Sequence, residues 1–289
     1  MRALVFGGSG QIGAALLPRL HARGWDVVAV SREAHGDAPG LHWLRGDLSA
    51  CDGLPARVDA IFSCGPLDHF ARWHAACKVE AARVIAFSST SAAVKQDSVD
   101  AAEADLARRL AEGERNVLAT AAARGAGAIV LRPTLVYGSG RDQTLSRMAR
   151  FASRWGVLPV PAGARGLRQP VHVEDLAIAA LAACDAATAQ GAAYDLPGGE
   201  TLAFREMVAR MLAVLPGRPK LMELPAAAFA AGMHVARFAG RRGAIAGTAV
   251  SRLREDLVFD PLPAARDLGY APRAFRPTAD MFVRRPPGP

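Results

Sequence analysis

The chain opens with a short continuous apolar run, Arg2 to Phe6, closed by glycine, the pattern of a strand buried on both faces. Behind the glycines, Ile12, Leu16, Leu17 and Leu20 recur at helical spacing. They predict an amphipathic helix over residues 11–23 with Gly24 as its C-terminal stop. Pro18 inside it lacks a backbone donor and is expected to bend it. Further strand-like runs stand at 26–30, 41–44, 60–64, 84–87 and 128–131. A long helix is predicted over about 101–124, with Asp100 and Glu103 spaced as a capping box and Gly125 as its stop. Strands alternating with helices predict an α/β fold, a parallel sheet covered on both faces.

After Gly138 the rhythm changes. Segments become rich in proline and arginine, and helices are predicted near 144–154, 174–184, 204–215 and 226–238. The shift predicts a smaller second lobe on the C-terminal edge of the sheet. The expected domains are 1–142 and 143–289, with residues of about 169–185 packing back on the first. The final residues 284–289 read as disordered.

Composition narrows the class. With 51% apolar residues in 289, a sizeable core is affordable only by a globular chain. No run approaches the ~18 apolar residues that span a bilayer, and the N-terminus lacks the apolar core of a secretory leader. Cys51, Cys64, Cys77 and Cys184 are scattered without a Cys-x-x-Cys pair, which predicts reduced thiols, a cytoplasmic protein and no metal site. The net charge of +8 comes from 35 basic against 27 acidic residues. Arginine and alanine richness together explain it as composition bias, and the functional alternative is an anionic ligand. No basic stripe interleaved with aromatics is present, so nucleic acid is not an expected partner. The expected partner is a small-molecule substrate, with a homodimer allowed.

The chemistry begins at residues 7–13, GGSGQIG. Gly8, Gly10 and Gly13 satisfy G-x-G-x-x-G, with Gly7, Ser9, Gln11 and Ile12 completing the turn. One glycine makes the tight turn, one admits a pyrophosphate to the backbone, and one lets helix pack on strand. The helix N-terminus then faces the anion. The strand before and the helix after are the context that gives this weak spacing its meaning. A NAD site of this type has an acid at the end of the second strand; here Ser31 and Arg32 stand there. Arginine pairs with a 2′-phosphate where a carboxylate repels it, so NADP is the expected cofactor, and Glu33 keeps NAD as the minor alternative. Asp47 and Leu48 after the third strand are placed at the adenine, unless Asp47 only opens a turn.

With GGSGQIG at 7–13, Asp47-Leu48, FSSTS at 87–91, LRPTLVYGSG at 131–140, RQPVHVEDLA at 168–177 and LVFDPLPAARDLGYAPRAF at 257–275, the chain resembles the extended short-chain dehydrogenase/reductase family, the NAD(P)-dependent epimerase/dehydratase type. The resemblance implies a Rossmann-type doubly wound parallel sheet with a smaller C-terminal substrate lobe. It implies a cofactor across the strand ends, at Cys64, Gly65, Ser88 and Pro133, and a Ser/Thr at the end of the fifth strand touching the substrate oxygen. Thr90 matches that place, with Ser89 and Ser91 one step away.

One departure is central. The family's catalytic tyrosine, with lysine four residues later, shares one helix face. Tyrosine stands here only at Tyr137, Tyr194 and Tyr270, none followed by lysine at that spacing. Anchored on Glu114-Arg115, the expected positions hold Leu106 and Leu110. Arg108 and Arg109 are poor bases because arginine stays protonated, and Asp105 with Arg109 reads as a solvated i, i+4 pair. The catalytic candidates are therefore Thr90, Ser91 and Lys95. His172, of suitable pKa, and Tyr137, Arg141 and Arg168 are assigned to the substrate, though structural roles for His172 and Tyr137 fit the family equally. A nucleotide-sugar substrate usually meets an asparagine near the Arg-Pro-x-x-x-Tyr-Gly motif, where this chain has Thr134 and Leu135. Phe229, Met233, Val235 and Phe238 form an apolar stripe, read first as helix packing and otherwise as a hydrophobic pocket or membrane contact. The chemistry implied is oxidoreductase or epimerase on a small carbonyl, hydroxyl or sugar-like substrate; the alternatives are a redox sensor and a structural dinucleotide-binding subunit.

Overall fold

The structure, a computed structural model, describes residues 1–94, 100–186, 189–229, 231–232 and 253–282. Lys95, most of the 226–238 helix with Met233, Val235 and Phe238, and the 284–289 tail lie outside the described residues. By compactness the chain forms two units. Unit 1 holds Met1–Thr134, Val173–Leu196 and Asp260–Ala271; unit 2 holds Leu135–His172, Pro197–Phe259 and Pro272–Pro289. The division thus falls before residue 142, and the chain returns to unit 1 twice.

Unit 1 is built on β1 (Arg2–Phe6), α1 (Gln11–Ala22), β2 (Asp26–Ser31), β3 (Leu41–Arg45), β4 (Arg57–Ser63), α2 (Leu67–Ala76), β5 (Glu80–Phe87), α3 (Ser91–Val94), α4 (Ala101–Ala123) and β6 (Gly127–Pro133). The sheet has seven strands in the order β11-β6-β5-β4-β1-β2-β3, β11 being Ala192–Leu196, which the chain reaches after α6 (Val173–Asp185). All of its neighbours run parallel, with Val5 opposite Ala29 on one side and Phe62 on the other. This is the doubly wound sheet the alternation predicts. Helix α1 packs with α6 and α2 packs with α4, one pair for each face. Strands buried on both faces need no polar alternation, which is why Ala3 to Phe6 is apolar throughout.

Leu4, Phe6, Ile61, Leu67, Phe70, Val84 and Val117 form one buried cluster. Each large apolar side chain so buried contributes roughly 1.5–3 kcal/mol. Phe6 meets Trp73 edge-on at 4.4 Å. Elements absent from the hydrophobic reading include α2 and β11. In α2 the buried face is Leu67, Phe70, Ala71 and His74, and a histidine completes the stripe. In β11, Asp195 interrupts a run of only five residues. The expected bend at Pro18 does not end α1, which runs through it to Ala22. Gly24 and Gly125 follow their helices with φ of +71° and +68°, the left-handed stop the sequence predicts. The Asp100 side chain accepts the Ala102 and Glu103 N–H groups and caps α4.

Unit 2 pairs β7 (Val136–Tyr137) with β10 (Val171–His172), β8 (Val157–Pro161) with β13 (Lys220–Leu224), and β9 (Leu167–Arg168) with β12 (Leu202–Ala203). Helices α5 (Leu145–Trp155) and α7 (Phe204–Ala213) pack with them. Its core gathers Tyr137, Leu145, Met207, Met211, Phe275 and Phe282.

Candidate functional site

The glycine turn lies between β1 and α1, and its geometry explains each glycine. Gly7 has φ +73° and sits so close to β4 that a Cβ there would meet the Cys64 carbonyl carbon at 3.0 Å. A Cβ on Gly13 would overlap the Gly7 carbonyl oxygen, so the first turn of α1 can rest on the loop only with glycine there. At Gly10 a Cβ would approach that same oxygen to 3.0 Å, and at Gly8 it would reach Ala29 and Trp43 at 3.2 Å. Gly10 begins the helix in extended conformation with no side-chain cap and no acid in the first turn. The N–H groups at the start of α1 therefore present uncapped positive dipole ends, which suit a pyrophosphate. A Cβ-free cradle and an uncapped helix start fit a dinucleotide.

The strand ends around the turn supply the rest of the floor. Cys64 donates its N–H to the Phe6 carbonyl at 2.9 Å, and burial pushes its thiol up to about 12, so it is inert. Gly65 faces Leu48, whose Cδ1 would lie 3.9 Å from a Cβ placed there. Ser63 Oγ is buried at the end of β4 with no hydrogen-bond partner among the described residues. Asp47 Oδ1 accepts the Ser49 and Ala50 N–H groups at 2.7 and 3.2 Å, so it does open a turn. Those bonds hold its carboxyl below the usual range, and the charge of Arg32 adds to them. Ser31 is buried at the end of β2, whereas Arg32 is exposed.

At the fifth strand end, Ser88 N–H bonds the Leu131 carbonyl at 2.7 Å and Thr90 N–H bonds the Pro133 carbonyl at 3.2 Å. Thr90 is buried, and its hydroxyl also turns to the Pro133 carbonyl, at 3.4 Å. Ser91 starts α3, with its N–H on Ser89 Oγ at 3.2 Å. Thr90, Ser91, Ser88 and Pro133 thus share one corner of unit 1.

Sequence reasoning used Glu114 only as an anchor and missed its chemistry. Glu114 is buried on α4 and accepts Ser88 Oγ–H at 2.5 Å and Arg132 Nε–H at 2.9 Å. Arg132 Nη1 also stands 3.8 Å from Asp195. Burial raises the Asp195 carboxyl, and its Oδ1 accepts no hydrogen bond among the described residues. A glutamate one turn from an apolar α4 face, opposite the arginine of LRP, was the available signal.

In unit 2, the ring of Tyr137 lies edge-on to His172 at 5.0 Å and to Phe275 at 4.9 Å. Gly138, at φ +111°, is pressed against the His172 ring, where a Cβ would overlap it. These contacts give Tyr137 and His172 a packing role. Arg168 Nη1 donates to the Leu167 and Glu255 carbonyls, both at 2.7 Å, and its guanidinium lies 5.9 Å over Phe204. Burial lowers its pKa. Arg141 is half-buried, in the loop after β7. Among the described residues no cluster of three His, Cys, Asp or Glu side chains could hold a metal ion. No described helix is long and apolar enough to cross a membrane.

Sheet order, the helix pairs packed on it and the glycine turn define a Rossmann-type α/β protein. The chain belongs to the NAD dependent epimerase/dehydratase family, whose model matches residues 3–77 and 73–196. It is similar to a 2-alkyl-3-oxoalkanoate reductase of Stenotrophomonas maltophilia (strain K279a), 29% identical over 258 residues, covering 76% of this chain and 77% of that one. Among solved structures it is similar to MoeE5 in complex with UDP-glucose and NAD, at 21% identity and a TM-score of 0.69, covering 96% of this chain and 95% of that one. It is likewise similar to UDP-glucuronic acid 4-epimerase from Bacillus cereus in complex with NAD, at 13% identity and a TM-score of 0.70, covering 98% and 96%.

Proposed function

We propose that this chain binds NADP(H) at the C-terminal ends of the unit 1 strands and carries out an oxidoreductase or epimerase reaction on a small carbonyl, hydroxyl or sugar-like substrate. The observation that carries the reading is the cradle at Gly7–Gly13, where Gly7 has φ +73°, a Cβ on Gly13 would overlap backbone, and the start of α1 has no side-chain cap. Family membership and the similarity to a named reductase support the reaction class. The absence of an acid at the end of β2, with Ser31 and Arg32 in its place, favours NADP over NAD.

A bound nicotinamide dinucleotide supplies or accepts the hydride. The chain's own part is to hold the pyrophosphate on the N–H groups of Gln11, Ile12 and Gly13, and to floor the site with Cys64, Gly65 and Pro133. Leu48 and Asp47 border the adenine in this reading. The Thr90 and Ser91 hydroxyls, with Lys95, hold and move the proton that must accompany hydride at the substrate oxygen. Of the unit 2 substrate candidates, Arg141 is the side chain this reading gives to the substrate, while Tyr137, His172 and Arg168 shape the lobe through their packing.

A second reading, a non-catalytic NADP(H) sensor or structural subunit, is favoured by Leu106 and Leu110. Both stand on α4 at the places the resemblance gives to the family's tyrosine and lysine, and neither titrates. Fluorescence titration with NADPH and NADH, followed by a screen of carbonyl and sugar-nucleotide substrates, tests both. Tight NADPH binding with turnover supports the enzyme, and tight binding without turnover on any substrate supports the sensor or subunit. Binding of neither dinucleotide overturns both.

A further inference from the structure

The charge of the chain is divided unevenly. The residues of unit 2 include 19 basic and 7 acidic side chains, and those of unit 1 include 16 basic and 20 acidic. Unit 1 is thus net negative, and the positive charge of the chain belongs to unit 2. Composition bias acts on a whole chain and does not sort charge between two units. Within unit 2, residues 143–173 and 224–254 each contain five arginines and no Asp or Glu.

Helix α5 lies in the first of these stretches. Its buried side is Leu145, Ser146, Ala149 and Ala152. Arg147, Arg150, Phe151, Arg154 and Trp155 are exposed. Contiguous reading found no basic stripe interleaved with aromatics, but the helical period assembles one here. Phe151 and Trp155 stand one turn apart, 39% and 53% exposed, with ring centroids 6.3 Å apart. Two large rings so placed form an uncovered apolar patch. Arg154 lies 5.6 Å over the Trp155 ring. Arg150 donates to the Gly140 carbonyl at 3.4 Å, a neutral acceptor that leaves its charge unpaired by that bond. Past the end of α5, the Lys220 N–H bonds the Gly156 carbonyl at 3.0 Å, which adds an exposed lysine at the Trp155 end.

The patch discriminates between occupants. A second copy of this chain would set one positive unit against another. A nucleic-acid base stacks on an open ring face; one face of Trp155 is under Arg154, and Phe151 is tilted from it by 39°. A basic helix with exposed Phe and Trp is the pattern of one lying in the headgroup layer of a bilayer. There the rings enter the acyl boundary, the indole N–H stays among the headgroups, and guanidinium groups pair with lipid phosphates.

We propose that unit 2 docks peripherally on an anionic membrane surface through α5, with Phe151 and Trp155 entering the interface and Arg147, Arg150 and Arg154 on the phosphates. The inference stands on the charge division and the α5 surface, and is independent of which dinucleotide unit 1 binds.

The test is co-sedimentation of the full chain with vesicles of phosphatidylcholine alone and of equal parts phosphatidylcholine and phosphatidylglycerol, with tryptophan emission as a second readout. The wild type is expected to bind the anionic vesicles at least tenfold more tightly than the neutral ones, with a blue shift. Phe151→Ser/Trp155→Ser keeps every charge and should lose tenfold or more in affinity for the anionic vesicles. Trp155→Phe keeps the apolar bulk and should still bind, without the shift. Arg154→Glu, an exposed charge reversal, should weaken binding severalfold and carries the test should the double serine variant melt below the wild type. Equal binding to both vesicle types, or binding of the anionic ones undiminished in a folded Phe151→Ser/Trp155→Ser, overturns the proposal. So does tighter capture by a single-stranded oligonucleotide than by anionic vesicles at matched phosphate, which would assign the surface to nucleic acid.

Discussion

Glu114 on α4 and Arg132 on β6 form a two-pronged pair around a buried carboxylate, with both Glu114 oxygens within 3.0 Å of Arg132 Nε and the Ser88 hydroxyl on the same carboxylate. The pair ties the helix to two neighbouring strand ends, one bearing Ser88 to Thr90 and the other Pro133. Glu114 in turn keeps the Arg132 guanidinium charged, raising its pKa. Arg132→Met strands a carboxylate at 3% exposure. Removing one partner of a buried ion pair costs about 3–5 kcal/mol, whereas replacing both by apolar groups costs much less. Urea unfolding should therefore show Arg132→Met far less stable than wild type, with Glu114→Leu/Arg132→Met recovering a substantial part. Equal stability of the single and double variants would show that the pair does not carry this load.

Gly13→Ala isolates the glycine cradle. The added methyl would overlap the Gly7 carbonyl, and the neighbour is backbone, which cannot rotate away. Overpacking of this kind costs typically about 1–3 kcal/mol. The turn must open to relieve it, which also moves the N–H groups meant for the pyrophosphate. In thermal unfolding, NADPH is expected to raise the melting temperature of the wild type and to leave Gly13→Ala unshifted. An equal upshift in both proteins would place the dinucleotide elsewhere.

How much of this was legible in sequence depended on whether a signal was local. The glycine turn, the strand before it, the helix after it and the cap at Asp100 are written in contiguous residues, and the structure has them where the pattern predicts. Helix α2 was invisible because His74 occupies an apolar position, and hydrophobicity does not recognise a histidine stacked on Phe70. Strand β11 was too short and too polar to announce itself. Glu114, Arg132 and Asp195 come from three elements, and nothing in any one of them shows that the fold closes a charge cluster. His35 sits in a glycine- and proline-bearing connection, where no periodicity marks a residue as fixed. Ser31 was noticed for its place rather than its bonds to Ser9 and His35.

His74 predicts an acid sensitivity. Its ring is buried and parallel to Phe70 at 5.6 Å, and burial, with the Arg124 charge, pushes its pKa from 6.5 to about 4. A folded-state value below the unfolded one means that the native chain resists protonation of this group. Stability is full above pH 6.5 and is lost as pH falls from there toward 4, by roughly 3 kcal/mol from this residue alone. His74→Phe, which keeps the stack and removes the titration, should flatten the pH dependence of urea midpoints between pH 6.5 and 4. A slope as steep as the wild type's would assign the acid loss to other groups.

Arg32→Glu tests the cofactor preference by charge reversal. A charge-assisted hydrogen bond contributes about 1.5–3 kcal/mol, so its loss and replacement by repulsion should cost NADPH tenfold or more in affinity. NADH, which has a 2′-hydroxyl, should be held as well as before or better, since a carboxylate can accept from it. Because Arg32 is exposed, the unliganded variant should melt as the wild type does, which separates a loss of affinity from a folding defect. A parallel fall in both affinities would remove Arg32 from discrimination.

Leu106 and Leu110 offer a gain-of-function test. They stand one turn apart on α4, both partly buried, and Leu110 packs against the cluster around Phe6 and Phe70. A tyrosine at 106 with a lysine at 110 would restore the spacing by which an ammonium lowers a neighbouring phenol's pKa. Placing lysine against an apolar cluster is costly, but its stem can lie along the apolar surface while the ammonium reaches outward. Leu106→Tyr/Leu110→Lys is therefore expected to be less stable than wild type yet faster in carbonyl reduction with NADPH. Leu106→Tyr alone should gain less, because its phenol keeps an ordinary pKa. General acid–base assistance is commonly worth about 10²–10⁴ in rate, so even a poorly placed pair should lift turnover above a weak background. If the double variant binds NADPH as the wild type does and turns over no faster on any carbonyl, the α4 face does not look onto the reacting atoms, and the sensor or subunit reading gains over the enzyme.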